Sequence, residues 1–118
     1  MVQQKFQTSK HTNPLNFFIE RGGHVLENEH GWCNYYISGD LCYLENMYIY
    51  PEKRNKQNGT MLLSNLELHA TEIHKCKYLS TTIALMYNNV ERALQASLKR
   101  GFKFISATND AILLRKEL

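Results

Sequence analysis

A chain of 118 residues, 43% apolar and 21% charged, has room for one hydrophobic core and the composition of an ordinary globular domain, taken here as residues 1–118. No apolar run approaches the ~20 residues that span a bilayer, which excludes a transmembrane helix. Fourteen Lys and Arg against eleven Asp and Glu leave a net charge of +3, with the cations scattered along the chain, so the charge permits an anionic ligand but lacks the basic stripe of a nucleic-acid binder.

The N-terminal MVQQKFQTSKHTN is polar and has no apolar segment of the signal-peptide kind, so the expected compartment is cytoplasmic and residues 1–12 are expected to be loosely held. Asn13-Pro14 then opens a short helix carrying Leu15, Phe17, Phe18 and Ile19, with Gly22-Gly23 as its stop. Three strands follow, over His24–Glu29, Trp32–Ile37 and Leu41–Tyr50, joined by turns at Glu29–Gly31 and Ser38–Asp40. Such short turns predict an antiparallel meander. Within it, alternation puts Trp32, Asn34 and Tyr36 on one face and Cys33, Tyr35 and Ile37 on the other.

After Gly59, Leu62, Leu63, Leu66, Ala70 and Ile73 recur at helical spacing, with His69 and His74 expected on the solvent side. Tyr78–Leu85 reads as a buried strand. Val90–Arg100 reads as a second helix with Val90, Ala93, Leu94 and Leu98 on one face and a stop at Gly101. Phe102–Ala107 and Ala111–Arg115 form a last hairpin, whose exposed edge is compatible with a homodimer. The order α-β-β-β-α-β-α-β-β predicts an α/β (α+β) domain: a mixed, mostly antiparallel central sheet flanked by helices. Cys33, Cys42 and Cys76 are odd in number and widely spaced; they read as reduced, partly buried thiols, and no metal is expected.

The segment Met47–Thr60, MYIYPEKRNKQNGT, carries the chemistry. A strand stops at Pro51, a basic turn follows, and a helix begins. That sequence of elements presents free backbone N–H groups at a helix start, which suits phosphate.

Tyr48, Ile49, Pro51, Glu52 and Arg54, with Lys56, Gln57, Asn58, Gly59 and Thr60 after them, resemble the strand end and Gly-rich loop of the GNAT family of acyl-CoA-dependent N-acetyltransferases. Arg54, Gln57 and Gly59 fit the first, fourth and sixth places of the family loop R/Q-x-x-G-x-G/A. Ala93 and Gly101-Phe102 match a second signature, and the likeness covers about Phe17 to Arg115, with the family's first strand and helix shortened or missing. The resemblance implies acetyl-CoA as co-substrate and a primary amine as acceptor, either a small molecule or a protein amine.

It further implies roles for individual residues. The N–H groups of Gln57, Asn58, Gly59 and Thr60, with the charges of Arg54 and Lys56, would hold the pyrophosphate. The backbone of Met47, Tyr48 and Ile49 would pair with the pantetheine arm and polarise the thioester. Asn89 would touch the same arm, or simply cap its helix. Glu45, the one carboxylate inside its strand, would be the general base, directly or through water, with His24 and His30 as rivals. Two positions depart from the family pattern. Gln57 stands at the loop's first glycine, and Ser97 stands where many members carry a tyrosine that protonates the leaving thiolate. These departures leave open a second expectation, a GNAT-fold CoA-binding or partner-binding protein with little or no catalysis.

Overall fold

The computed structural model describes residues 14–54, 57–86 and 89–118. The cap at Asn13, the loose segment 1–12, Lys56 of the loop and Tyr87–Asn88 before the last helix therefore lie outside the described residues.

The elements follow the expected order. They are α1 (Pro14–Glu20), β1 (His24–Asn28), β2 (Gly31–Ser38), β3 (Leu41–Ile49), a 3-10 turn (Pro51–Lys53), α2 (Asn58–Glu72), β4 (Tyr78–Ala84), α3 (Val90–Lys99), β5 (Lys103–Ala107) and β6 (Ala111–Glu117). The six strands form one mixed sheet in the order β1-β2-β3-β4-β6-β5. Every neighbouring pair is antiparallel except β3 and β4. The meander is set by local chemistry. The Asn28 side-chain oxygen accepts from the His30 and Gly31 N–H groups at 2.7 and 3.2 Å, closing the β1–β2 turn. Gly39 turns β2 into β3 at φ +60°. A parallel β3–β4 pair cannot be joined by a tight turn, and α2 makes the crossover.

The core lies between the sheet and α2. Leu62, Leu66 and Ala70 are fully buried against Cys33, Cys42, Leu79 and Leu114, with Phe102 and Leu94 completing the layer. The face Cys33–Tyr35–Ile37 is thus the core face, and Trp32, Asn34 and Tyr36 face the other side, where α1 packs Phe18 on Trp32 at 5.7 Å between ring centroids.

Some expectations need correction. Ile73 does not extend the apolar face of α2: the helix ends at Glu72, and Ile73 is 62% exposed. Of the α3 stripe, Ala93 and Leu98 are exposed, and Leu94 makes the packing contact. The side chain of Met47 on β3 is also exposed. Phe102 precedes β5 and is buried, while β6 runs on to Glu117.

Only four residue pairs join β3 to β4, from Leu41↔Tyr78 to Leu44↔Thr81. The Thr81 hydroxyl then donates to the Leu44 carbonyl at 3.0 Å, closing the ladder with a side chain. From Glu45 onward the two strands part, and this gap positions the site.

Candidate active site

At the mouth of the gap lies an open cleft with a volume of about 460 Å³. Met47, Tyr48 and Ile49 line it from β3, Arg54 from the turn, and Gln57 to Thr60 from the start of α2. The volume lies within the range of small-molecule pockets.

Backbone geometry decides what the β3 wall offers. The Tyr50 N–H donates to the His30 carbonyl at 2.9 Å, and the pairs Trp32↔Tyr48 and Cys33↔Met47 continue that register. Backbone direction alternates along an antiparallel strand, so Tyr48 turns its N–H and C=O to β2 while Met47 and Ile49 turn theirs to the gap. Tyr48 contributes its ring instead, with the Arg54 guanidinium 5.2 Å above it. The Arg54 Nε also donates to the Ile49 carbonyl at 2.8 Å, and among the described residues its terminal nitrogens have no hydrogen-bond partner.

The helix wall is polar. In the first turn of α2 the N–H groups of Asn58, Gly59 and Thr60 have no carbonyl four residues earlier within the helix, and the first helical bond is Met61 N–H to Gln57 carbonyl at 3.1 Å. Gln57 caps this helix in the left-handed region, φ +63° and ψ +15°, with no side-chain cap bond. The backbone here therefore has the shape that favours glycine, and an L-residue occupies it. Asn58 is buried, and its amide donates to the Lys53 carbonyl at 2.7 Å, so that side chain braces the turn. Gly59 faces β3: a Cβ there would lie 3.8 Å from Ile49 and 4.0 Å from Met47, so any larger side chain grows into the cavity. Thr60 leaves its side chain exposed at the rim.

Glu45 stands where the gap opens. Tyr35 pairs with Leu44 and Asn34 with Asn46, so Glu45 is the extra residue of a β-bulge. Its carboxylate accepts from the Asn34 amide at 2.8 Å on the α1 side of the sheet. On that side the Tyr43 and Thr82 hydroxyls also meet, at 3.1 Å. Tyr50, beyond the end of β3, donates to Glu27 at 3.3 Å; burial and then that carboxylate push its phenol up from the usual range.

No protein-family model matches the sequence, and no curated protein matches it. Solved structures do match in fold. A GNAT family acetyltransferase from Elizabethkingia anophelis, solved with acetyl-CoA bound, superposes with TM-score 0.70 at 19% identity, over 88% of this chain and 81% of its own. An IAA acetyltransferase from Bacillus cereus gives 0.69 at 16% identity, over 88% and 83%. The PaiA N-acetyltransferase from Thermoplasma acidophilum, solved in complex with coenzyme A, gives 0.63 at 20%, over 75% of this chain and 54% of the larger neighbour. The chain has the GNAT fold.

Within the GNAT fold, the gap between β3 and β4 brings together Met47, Tyr48, Ile49, Arg54, Gln57, Asn58, Gly59 and Thr60 at one cavity. Asn89 is not among its lining residues. It starts α3 in the left-handed region at φ +69°, exposed, and caps through its carbonyl to Ala93 N–H at 3.0 Å and not through its side chain. Ser97 sits half-buried in α3.

The rival base His24 is elsewhere. It stacks on Tyr35 at 5.2 Å between centroids and meets His74 at 4.7 Å, and His74 Nε2 lies 3.2 Å from the Tyr35 hydroxyl. This cluster sits at the C-terminal end of α2, a helix of 15 residues, while the cavity is at its N-terminal end, about 22 Å away along the axis. His74 is thus half-buried against His24 and Tyr35. Burial, followed by His24 and His69, lowers its pKa below the ordinary 6.5.

Sequence reasoning missed Asn34 and the Tyr43–Thr82 pair. A polar residue amid aromatics on β2 was the available signal for Asn34, but the bulge that aligns it with Glu45 leaves no mark in the alternation.

Proposed function

We propose that this GNAT-fold chain is an acetyl-CoA-dependent N-acetyltransferase, moving an acetyl group to a primary amine by direct attack. The observation that carries the reading is the cleft at the strand gap, with backbone donors on both its β3 and α2 walls. Two solved neighbours hold acetyl-CoA or coenzyme A, which supports the choice of ligand.

Acetyl-CoA would supply an activated thioester carbonyl. The first-turn N–H groups of α2 and the free Arg54 nitrogens would take the pyrophosphate, where the helix dipole adds to the charge of the guanidinium. Met47 and Ile49 would add their backbone groups to the pantetheine arm as a strand does, with the Met47 N–H able to stabilise negative charge developing on the carbonyl oxygen. Glu45 would take the proton of the incoming amine from the α1 side, a contribution of typically 10²–10⁴-fold for a positioned base.

Calorimetric titration of acetyl-CoA, followed by thiol release with a panel of primary amines, tests the reading. Gly59→Trp should fold normally and lose cofactor binding, because the indole fills the space between α2 and β3. Unchanged binding in that variant, or no binding by the wild type, overturns the site. Binding without thiol release would support the second reading, a CoA-binding protein with little catalysis, which Ser97 in place of an acidic hydroxyl favours.

A further inference from the structure

We infer that Asn34 is a positioning residue for Glu45, fixing the carboxylate on the α1 face of the sheet, at the point along β3 where the gap opens and the amine must lose its proton. The inference rests on the transferase reading above and adds to it a residue from the neighbouring strand.

Three observations meet at this pair. Asn34 is completely buried, yet its side-chain oxygen has no hydrogen-bond partner among the described residues. An apolar side chain of the same size would fill the space without leaving a buried acceptor unpaired, so packing alone does not account for an amide there. Its other end does have a partner: the amide nitrogen donates to the Glu45 Oε1 at 2.8 Å. An ionised carboxylate only accepts, so this contact orients the amide and ties the carboxylate to a residue that cannot move without disturbing β2.

The third observation is the bulge. It puts Glu45 immediately after Leu44, the last residue of β3 paired with β4, and opposite the Asn34–Tyr35 step. The carboxylate is thus held where β3 backbone first becomes available to a ligand. A glutamate on a regular edge strand would sample several rotamers; this one is restrained by a bond from a buried neighbour.

The test is a double-mutant cycle with acetyl-CoA and whichever panel amine turns over fastest. Asn34→Leu should lower kcat about tenfold, the loss of one hydrogen bond to a charged group, with the KM for acetyl-CoA unchanged. In an Glu45→Gln background the same substitution should have no further effect on kcat. Asn34→Ser, which removes the amide without adding bulk, should repeat the pattern, and thermal melting checks that each variant is folded. Equal losses in both backgrounds, or a normal kcat in the folded single variants, would overturn the positioning role and leave the transferase reading standing. No thiol release by the wild type with any amine would sink the transferase reading and this inference with it.

Discussion

Gln57→Gly should make the protein more stable although it removes an entire side chain. Gln57 holds φ +63° with its side chain exposed and without a cap bond, so its removal gives up no burial and no hydrogen bond of the cap. An L-residue in this region carries a cost of about 1–2 kcal/mol, from Cβ against the following carbonyl. Glycine relieves that cost but adds roughly 0.5–1 kcal/mol of chain entropy to be lost on folding. The difference is a net gain of about 0.5–1 kcal/mol. For a chain of this length that corresponds to a rise in Tm of about 2–5 °C. Gln57→Ala is the control, because it removes the same side-chain atoms yet keeps Cβ, and it should gain nothing. Thermal unfolding of the three proteins without ligand reads the comparison directly. If the glycine variant melts no higher than the alanine variant, the left-handed geometry assigned to the loop is wrong.

Three further outcomes follow from the same structure. Gly31→Ala should cost about 3 kcal/mol or more in urea unfolding, because its Cβ would collide with the Tyr48 carbonyl across the β2–β3 pair; a loss under about 1 kcal/mol would contradict the tight register there. His74 has a lowered pKa when folded, so the unfolded chain binds its proton more readily. Its contribution to stability is complete above about pH 6.5 and is lost as pH falls through its folded pKa. Melting of wild type and His74→Gln between pH 8 and 5 should therefore show the wild type declining more steeply, and parallel curves would refute the half-buried environment. Burial pushes the thiols of Cys33 and Cys42 up to about 12 and raises Cys76 as well, so a thiol reagent at pH 8 should find almost none of them in the native protein and all three after unfolding. Rapid native labelling would place at least one thiol at the surface.

The order of elements was legible because each stretch carries its own punctuation: Gly22-Gly23, the Glu29–Gly31 and Ser38–Asp40 turns, Pro51, and Gly101. The two faces of β2 were legible from strict alternation. Alternation could not reveal which face packs on α2, since aromatics occupy both. The cavity wall was legible from a local motif, being built from one continuous stretch of chain. What stayed hidden depends on distant partners. The bulge at Glu45 exists only relative to β2, so the Asn34 contact has no local signature. His74 falls four residues after buried Ala70, on the buried stripe of α2, and was expected on the solvent side only because an imidazole reads as polar; its partner Tyr35 is distant in sequence. The α3 stripe predicted more burial than occurs: no residue of α3 is fully buried, and Leu94 packs only partly against the core.

The short parallel pairing of β3 with β4 divides the sheet into two halves of different kinship. β1–β3 and β4–β6–β5 are each antiparallel, with partners close in sequence for β1–β3 and for the final hairpin, so each can form without waiting for the other. Between them run four residue pairs, tied at one end where the Asp40 carbonyl accepts from Lys77 and Tyr78 N–H at 2.7 and 3.1 Å, and left unzipped at the other. Amide exchange should accordingly be slowest inside each half and fastest along this line. A molecule lodged in the unzipped end touches β3 and α2 together and stands in for the missing ladder, so occupancy would be felt as cohesion of the whole sheet, rising with concentration to about 2.7 kcal/mol at one hundred times Kd.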